Sequence, residues 1–333
     1  MSVKASVSAR GAVLLGNYVA CDAFDESRPI RVVTHAHADH MMGLTQSLRR
    51  CETVLMTEPT RDLIAAMQGP LSLMAGRVET LEYGKTMQYR DERITFFKAD
   101  HILGSAQVLV EDPEGSRMVY TGDFRIDGTP VLYADSLVVE ATYGSPWCRR
   151  SFGVDVRELL VSLVEESLRE GVIYVFGFHG KLQEVMQILR SAGVGVPFVM
   201  PERVFHVSKV YEGHGMRLGR LMLSAERDGR ELLERNGSCV AFYHMNSRKT
   251  VGTNSPRICV SGWEFNSPCR RISEREHVIA LSDHSDFSGL IAYVKRSKPK
   301  RVITDNYRIS HAETLAKEIS KRLGIPAVAL PKR

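Results

Sequence analysis

The feature that most constrains this chain is a run of six residues that carries four metal-ligand side chains, His35-Ala-His37-Ala-Asp39-His40. The run Arg31-Val-Val-Thr34 comes directly before it and predicts a buried strand that ends at the cluster. Because alternate residues of an extended chain point the same way, His35 and His37 can reach one metal ion. Asp39 and His40, where the chain turns, can serve a second. Imidazoles and carboxylates suit zinc, so the run predicts a two-zinc centre and disfavours the alternative, a solvated polar loop.

Four more residues of suitable chemistry follow predicted strands or lie between two of them: His101, Asp123, Glu140 and His284. His101 could complete the ligands of the first metal, and Asp123 could bridge both metals. Strand ends in α/β sheets are where active sites are built, which favours one shared site. For His284 the structural alternative is a residue that precedes a helix capped by Ser285 or Asp286.

The order of predicted elements divides the chain into three stretches. Up to residue 144, short apolar strands are separated by turns, with one or two helices. After Pro146 helices and strands alternate, which predicts a small parallel sheet, and from His277 a strand–helix pattern resumes. We therefore expect one domain formed by residues 1–144 and 275–333, interrupted by an inserted domain of residues 145–274.

Composition narrows the setting in which the chain works. The 333 residues include 44% hydrophobic residues, which is ordinary for a globular protein, and no run approaches the roughly eighteen apolar residues of a membrane span. The six cysteines form no Cys-x-x-Cys pair, which disfavours a disulfide scaffold and fits a cytoplasmic protein. The net charge of +5 permits an anionic partner without requiring one.

Several further motifs occur in the order of a known family: His101-Ile-Leu-Gly-Ser-Ala, Thr121-Gly-Asp-Phe, Glu140-Ala-Thr-Tyr-Gly, Gly180-Lys-Leu-Gln-Glu and Ser282-Asp-His-Ser-Asp-Phe. With the histidine run, these motifs resemble those of the β-CASP branch of the metallo-β-lactamase superfamily, a group of nucleic-acid nucleases. The resemblance runs from about residue 10 to the C-terminus. It implies an α/β fold, an αββα metallo-β-lactamase sandwich with an inserted β-CASP α/β domain.

The resemblance also implies a metal role for most of the candidate residues. By that resemblance, His35, His37 and His101 would hold the first zinc. Asp39 and His40 would hold the second, with Asp123 between the two metals.

The same resemblance gives three residues a catalytic role: Asp39, Glu140 and His284. Glu140 and His284 match the family's pair beside the scissile phosphate. On chemical grounds, His284 could protonate the departing sugar oxygen while Glu140 orients the imidazole ring.

The chain departs from the family pattern near its C-terminus. The family usually has a strand that ends in Val-x-His-Gly, whose histidine completes the second metal site. This chain has Ile303-Thr-Asp-Asn instead. We expect Asp305 to ligate the second metal through oxygen, and the added negative charge to favour a harder ion such as Mn²⁺ there.

Basic residues of the inserted domain are the candidates for contact with substrate. The helix start at Gly180-Lys181 resembles a family element, and Lys181 with the backbone N–H groups there could meet a phosphate. Two basic pairs fall in predicted loops and could follow a nucleic-acid backbone: Arg248 with Lys249, and Arg270 with Arg271. A solvated surface is the alternative for all of these residues.

The leading hypothesis is a hydrolase: a zinc-dependent phosphodiesterase that cleaves RNA, as an RNA-processing exonuclease with endonucleolytic cleavage left open. Its partner is nucleic acid, with single-stranded RNA favoured over DNA, no membrane is expected, and a homodimer is left open. A DNA exonuclease acting in repair is one alternative. A non-catalytic nucleic-acid-binding relative with a weakened metal site is another, and Asp305 is its support. A small-molecule hydrolase is disfavoured because a small substrate needs neither the insertion nor the Glu140/His284 pair.

Overall fold

The computed structural model describes residues 4–69, 73, 77–309 and 311–332. The chain separates into two compact units, the first of residues 1–149 with 283–333 and the second of residues 150–282. Twenty strands lie within the described residues: β1 Ala5–Val7, β2 Val13–Leu15, β3 Val19–Cys21, β4 Ile30–Val32, β5 Thr53–Met56, β6 Val78–Thr80, β7 Thr86–Tyr89, β8 Glu92–Lys98, β9 Ala106–Glu111, β10 Arg117–Tyr120, β11 Ser136–Val139, β12 Ile173–Gly177, β13 Phe198–Met200, β14 Leu221–Leu223, β15 Val240–His244, β16 Arg257–Val260, β17 Cys269–Ser273, β18 Glu276–Ile279, β19 Arg301–Asp305 and β20 Ala327–Leu330. Eight α-helices lie in the same part of the chain: α1 Leu44–Arg50, α2 Glu58–Gln68, α3 Val156–Ser167, α4 Lys181–Ser191, α5 Glu202–Gly213, α6 Arg227–Glu234, α7 Phe287–Ser297 and α8 Ala312–Leu323. Among the described residues, no helix has both the length and the apolar character that crossing a bilayer requires.

The first unit is built on two sheets. One has the order β1-β2-β3-β4-β5-β6, with antiparallel pairs as far as β3 and parallel pairs from β3 to β6. The other has the order β20-β19-β11-β10-β9-β8-β7, which is parallel from β20 to β10 and antiparallel from β10 to β7. Side chains of both sheets, including Val32, Phe96, Val108 and Val138, share one buried cluster.

The second sheet of this unit is buried on both faces. Val138 on β11 belongs to the cluster between the sheets, while its neighbours Leu137 and Val139 belong to a cluster with residues of α7 and α8. This alternation follows from the period of two residues along a strand. The unit is therefore a mixed α/β sandwich with helices on an outer face of its sheets, which confirms the predicted fold class.

Helix ends in this unit follow local side-chain chemistry. Thr57 accepts a hydrogen bond from the Thr60 backbone N–H at the start of α2, and Pro59 lies in the first turn. At the start of α7, the Asp286 side chain accepts a hydrogen bond from the Gly289 backbone N–H. α8 ends at Gly324, whose φ of 67° lies in the left-handed region.

The second unit contains a single seven-stranded sheet of the order β14-β13-β15-β12-β16-β18-β17. All its pairs are parallel except β17 with β18. The sequence pattern predicts that residues from 275 onwards belong to the outer domain. In the structure β18 pairs with β16 and β17, and its Val278 and Ile279 are buried, so the second unit extends to Ser282.

We expect Phe96→Ala to lower the free energy of unfolding by roughly 3–5 kcal/mol, because Phe96 is fully buried between the two sheets and its loss leaves a cavity. Urea unfolding followed by circular dichroism measures the change. Val328→Ala is the matched control, since Val328 on the edge strand β20 is 41% exposed and should change stability little. Equal effects of the two variants would contradict the packing described here.

Candidate metal centre

Four ligand-type side chains of the first unit converge at the edge where β4 and β10 end: His35, His37, His101 and Asp123. One donor atom from each lies within 4.8 Å of the others. His37 Nδ1 lies 3.2 Å from His35 Nε2 and 3.0 Å from His101 Nε2, and Asp123 Oδ2 lies 3.7 Å from His35 Nε2. Three imidazole nitrogens and one carboxylate oxygen at these separations form a donor set suited to a divalent metal ion.

Outer partners fix the two most buried imidazoles of this group. His35 Nδ1 lies 3.1 Å from the Thr34 hydroxyl, and His101 Nδ1 lies 2.9 Å from the backbone carbonyl of Asp283. Because a carbonyl only accepts, His101 carries its proton on Nδ1 and turns the Nε2 lone pair towards the group. Burial lowers the pKa of both His35 and His101, which favours the neutral ring that a metal requires.

The loop that carries His101 is held against the start of α2 at Gly104. The Gly104 carbonyl accepts hydrogen bonds from the hydroxyls of Thr57 and Thr60, at 2.7 and 3.1 Å. Gly104 has a φ of +83°, and a Cβ there would lie 2.6 Å from the Thr60 backbone nitrogen. A glycine is therefore required for this close approach, which places His101 opposite the histidine run.

A second set of possible ligands consists of His40 and the carboxylates of Asp39 and Asp123. The buried Nε2 of His40 lies 3.2 Å from Asp123 Oδ2 and 3.5 Å from Asp39 Oδ2, without a well-aligned hydrogen bond among the described residues. Burial disfavours a protonated ring, but Asp123, Asp22 and Asp39 outweigh it and raise the pKa of His40 well above its usual value. An unsatisfied buried nitrogen amid carboxylates is the environment that a bound cation would complete.

Asp22 is a functional residue that the sequence analysis did not single out. Its fully buried carboxylate lies 2.7 Å from His40 Nδ1 and accepts hydrogen bonds from both the backbone N–H and the hydroxyl of Thr34. Asp22 follows β3, and the parallel pairing of β3 with β4 brings it beside the histidine run. The residue orients His40 as an outer partner orients a metal-bound imidazole.

Arg31 on β4 closes the same turn from inside the protein. Its side chain is fully buried and donates to the backbone carbonyls of His40 and Met42, at 2.9 and 3.2 Å. A buried guanidinium thus satisfies the last carbonyl of the short 3₁₀ turn Ala38–His40 and that of Met42 just beyond it. From the sequence, Arg31 is predicted only as part of the buried strand.

Glu140 and His284 form a buried pair beside the first group. His284 Nδ1 lies 3.1 Å from both carboxylate oxygens of Glu140, and the ring centroids of His284 and His101 are 4.6 Å apart. One Glu140 oxygen also accepts from the Phe124 backbone N–H at 3.0 Å. Burial opposes protonation of His284, but Glu140 outweighs it and raises the pKa of the ring to about 9.

Asp305, the predicted ligand of the second metal, has its two oxygens in contact with Arg308 and Tyr307. It belongs to none of the ligand groups found among the described residues. One of its oxygens forms a 2.5 Å ion pair with Arg308, and the other accepts from the Tyr307 backbone N–H. Arg308 also donates to the carbonyls of Gly11 and Asp22. The carboxylate is thus engaged by a buried guanidinium next to the loop that supports His40.

The basic candidates of the second unit have mixed surroundings. Lys181 is the buried first residue of α4, and Lys249 is exposed. Arg248 forms a 2.7 Å ion pair with Glu276, and Arg270 forms a 2.5 Å ion pair with Glu264. Arg271 donates to the Ser273 carbonyl. Two of the four arginine and lysine residues in the predicted pairs are therefore partly neutralised by carboxylates.

We expect Asp22→Ala to weaken divalent metal binding about 10- to 100-fold, because His40 then loses the carboxylate that orients its ring. Zn²⁺ titration against a competing chelator measures the affinity. Glu26→Ala, which removes an exposed carboxylate from the same loop, is the control and should leave the affinity unchanged. An Asp22→Ala variant that is folded and binds Zn²⁺ as tightly as the wild type would contradict the role of Asp22.

We expect Asp305→Asn to lower the free energy of unfolding by roughly 3 kcal/mol, because Arg308 then remains buried without its counter-charge. Metal content per chain should stay the same. Glu318→Gln, which breaks the more exposed pair with Arg322 on α8, should cost no more than about 1 kcal/mol. Loss of metal from Asp305→Asn at unchanged stability would instead identify Asp305 as the ligand that the sequence predicted.

The chain is similar in sequence to several known proteins, although no family model matches it. An uncharacterized protein "in lig 3′ region" of Acidianus ambivalens is 38% identical over 138 residues, which are 41% of this chain and 99% of that protein. A probable DNA ligase of Opitutus terrae is 26% identical over 85% of this chain and 27% of its own length. An RNase J-like protein of Methanocaldococcus jannaschii is 27% identical over 54% of this chain and 49% of its own length. The chain thus spans less than half of the length of the DNA ligase and of the RNase J-like protein.

Further relatives are named as ribonucleases, endoribonucleases and transcription termination factors. Among solved structures, a protein of unknown function from Enterococcus faecalis matches with a TM-score of 0.58 over 91% of this chain and 79% of that one. At 13% identity this likeness concerns the fold alone. Together with the motif order and the sandwich, these relatives show that the chain belongs to the β-CASP branch of the metallo-β-lactamase superfamily.

Proposed function

We propose that this protein is a zinc-dependent phosphodiesterase that cleaves single-stranded RNA, as an RNA-processing exonuclease of the cytoplasm. The observation that carries the proposal is the contact between the four-donor group and the Glu140–His284 pair. Asp123 belongs both to the group with His35, His37 and His101 and to a second group with Glu140 and His284. A metal-binding face and a proton-transfer pair thus meet at one carboxylate.

The donor set determines how metal would be held. His35, His37, His101 and Asp123 would hold one ion, and Asp39 and His40 would hold a second together with Asp123. Three imidazoles in the first set favour zinc over magnesium or calcium. Bound there, zinc would supply Lewis acidity towards a phosphodiester oxygen and a water of lowered pKa.

The protein's own groups would manage the proton of the leaving oxygen. Glu140 contacts His284 at Nδ1, and the other ring nitrogen, Nε2, would exchange the proton with substrate. The Phe124 and Thr142 backbone N–H groups donate to the two oxygens of Glu140, at 3.0 and 3.3 Å. They hold the carboxylate in place, and it in turn fixes the plane of the His284 ring.

The choice of nucleic acid rests on the relatives. RNA is favoured because several relatives are named as ribonucleases. A DNA exonuclease is the second candidate, because the first two relatives carry a ligase or its neighbourhood in their names. The exposed Lys249 and Arg271 and the partly neutralised Arg248 and Arg270 would contribute to backbone contact, together with Lys181 at the start of α4.

The test uses single-stranded RNA and DNA of the same sequence, each labelled at the 5′ or the 3′ end, with the purified protein. We expect RNA cleavage that chelator abolishes and Zn²⁺ restores, and the label position that releases mononucleotide first gives the polarity. Preferential cleavage of DNA would establish the second candidate. No cleavage of either strand with Zn²⁺, Mn²⁺ or Mg²⁺ would refute the proposed activity.

In the same assay, we expect His284→Ala to keep its metal and to lose about two to four decades of cleavage rate, the usual contribution of a positioned acid. Elemental analysis of the variant separates the proton role from ligation. His206→Ala is the control, because that side chain is 52% exposed on α5 of the second unit. If His284→Ala loses metal as well, His284 is a ligand and its role as the acid is wrong.

A further inference from the structure

Three neighbouring strands in the middle of the second unit end at one edge of its sheet. β12 pairs in parallel with β15 on one side, with Gly177 opposite His244, and with β16 on the other, with Phe176 opposite Cys259. Neighbouring strands lie about 4.8 Å apart, so the chain segments that leave these three strands begin within roughly 10 Å of one another.

Aromatic side chains are concentrated on the segments that leave these strands. Phe178, which follows β12, is 50% exposed and has its ring centroid 5.1 Å from that of His244 at the end of β15. Trp263, which follows β16, is 49% exposed and lies 6.3 Å from Phe265. We call these four residues the aromatic edge. Large aromatic side chains left half exposed at one edge are typical of an interaction surface.

Positive charge accompanies the aromatic edge within the same unit. The Arg150 guanidinium lies 4.7 Å from the centre of the Phe265 ring. The exposed Arg270 also reaches this edge, where Glu264, the neighbour of Trp263, neutralises part of its charge. α4 begins at Lys181, three residues after Phe178, and so starts at the same edge of the sheet. Half-exposed rings beside arginine side chains match a ligand that carries both flat apolar rings and anionic groups.

We propose that Phe178 and Trp263 form a stacking platform for the bases of a single-stranded nucleic acid. Stacking accepts any base, and the neighbouring cations would meet the phosphates, which is how single strands are bound without sequence preference. Paired bases in a duplex do not expose their ring faces, so the platform selects single strands. This inference rests on the proposed function and extends it, because it names residues of the second unit that would contact the bases of the substrate.

Trp263 provides its own optical probe. The chain has two tryptophans, Trp147 and Trp263, so Trp147→Phe leaves Trp263 as the sole tryptophan emitter. We would titrate this variant, with chelator present to prevent cleavage, using oligouridylate of about ten nucleotides, within the range of single-strand site sizes. An abasic oligomer of equal length is the matched probe. We expect oligouridylate to quench Trp263 emission and the abasic oligomer to quench it far less.

Affinity measurements test the same platform independently of fluorescence. By anisotropy of a labelled oligouridylate, Trp263→Ala and Phe178→Ala should each weaken binding about tenfold, the usual effect of losing one stacking ring. Trp263→Phe should retain most of the affinity because it keeps a ring. Tyr133→Ala, which removes a side chain that is 59% exposed on the first unit, should have no effect.

Three results would overturn the platform. If oligouridylate binds by anisotropy while Trp263 emission and the alanine variants are unaffected, the bases stack elsewhere. Equal binding of the abasic oligomer would mean that the backbone alone is recognised. A change of Trp263 emission with protein concentration, without oligonucleotide, would mean that a second copy of the chain covers the aromatic edge. In all three cases the cleavage assay decides the proposed function separately.

Discussion

The candidate metal centre of the first unit is arranged around one carboxylate oxygen. Asp123 Oδ2 lies 3.2 Å from His40 Nε2, 3.7 Å from His35 Nε2 and 3.9 Å from His101 Nε2, so three imidazoles from two segments of the chain face the same atom. Burial lowers the pKa of His35 and His101, so their nitrogen lone pairs and the carboxylate form a site that a bound cation would complete. Partners behind these rings, the Thr34 hydroxyl and the Asp283 carbonyl, fix their orientation.

Buried arginines offset the negative charge of the carboxylates that this arrangement places in the protein interior. Arg31 and Arg308 both reach backbone carbonyls of the segments that carry Asp22 and His40. Burial disfavours the charge on Arg308, but Tyr120, Asp305 and Asp22 outweigh it and raise the pKa of the guanidinium further. The ion pair with Asp305 thus reaches the segment that carries Asp22 through Arg308, and the role of Asp305 as a metal ligand stays a prediction. Buried pairs of this kind fix geometry more than they add stability.

The sequence predicted those parts of the fold and site that depend on neighbouring residues. The strand–helix pattern predicted from His277 onwards is present as β18, α7, β19, α8 and β20, because periodicity along a helix or strand is a local signal. The metal-ligand character of the histidine run could be predicted for the same reason, since its four side chains are neighbours in the sequence. Strands of three residues, such as β1 and β2, carry too little alternation to be recognised.

Contacts between residues that are far apart in the chain could not be predicted from the sequence. Asp22 meets His40 through strand pairing, 18 residues away, and Arg308 reaches Gly11 across 297 residues. No local pattern marks Asp22 or Arg308. Because Asp305 pairs with Arg308, the sequence alone could not show which partner its carboxylate takes. The exposed rings of Phe178 and Trp263 were likewise unremarkable until three parallel strands brought them to one edge.

The two ways of orienting an imidazole in this centre differ in their tolerance of mutation. His101 is held by the main-chain carbonyl of Asp283, an atom that every amino acid at that position supplies. His40 is held by the side chain of Asp22, which few single-base changes could replace with an equivalent acceptor. Substitution at position 283 would therefore keep the atom to which His101 donates, whereas most substitutions at position 22 would remove the acceptor beside His40. One imidazole of the candidate centre is oriented by the backbone, and another by a single side chain.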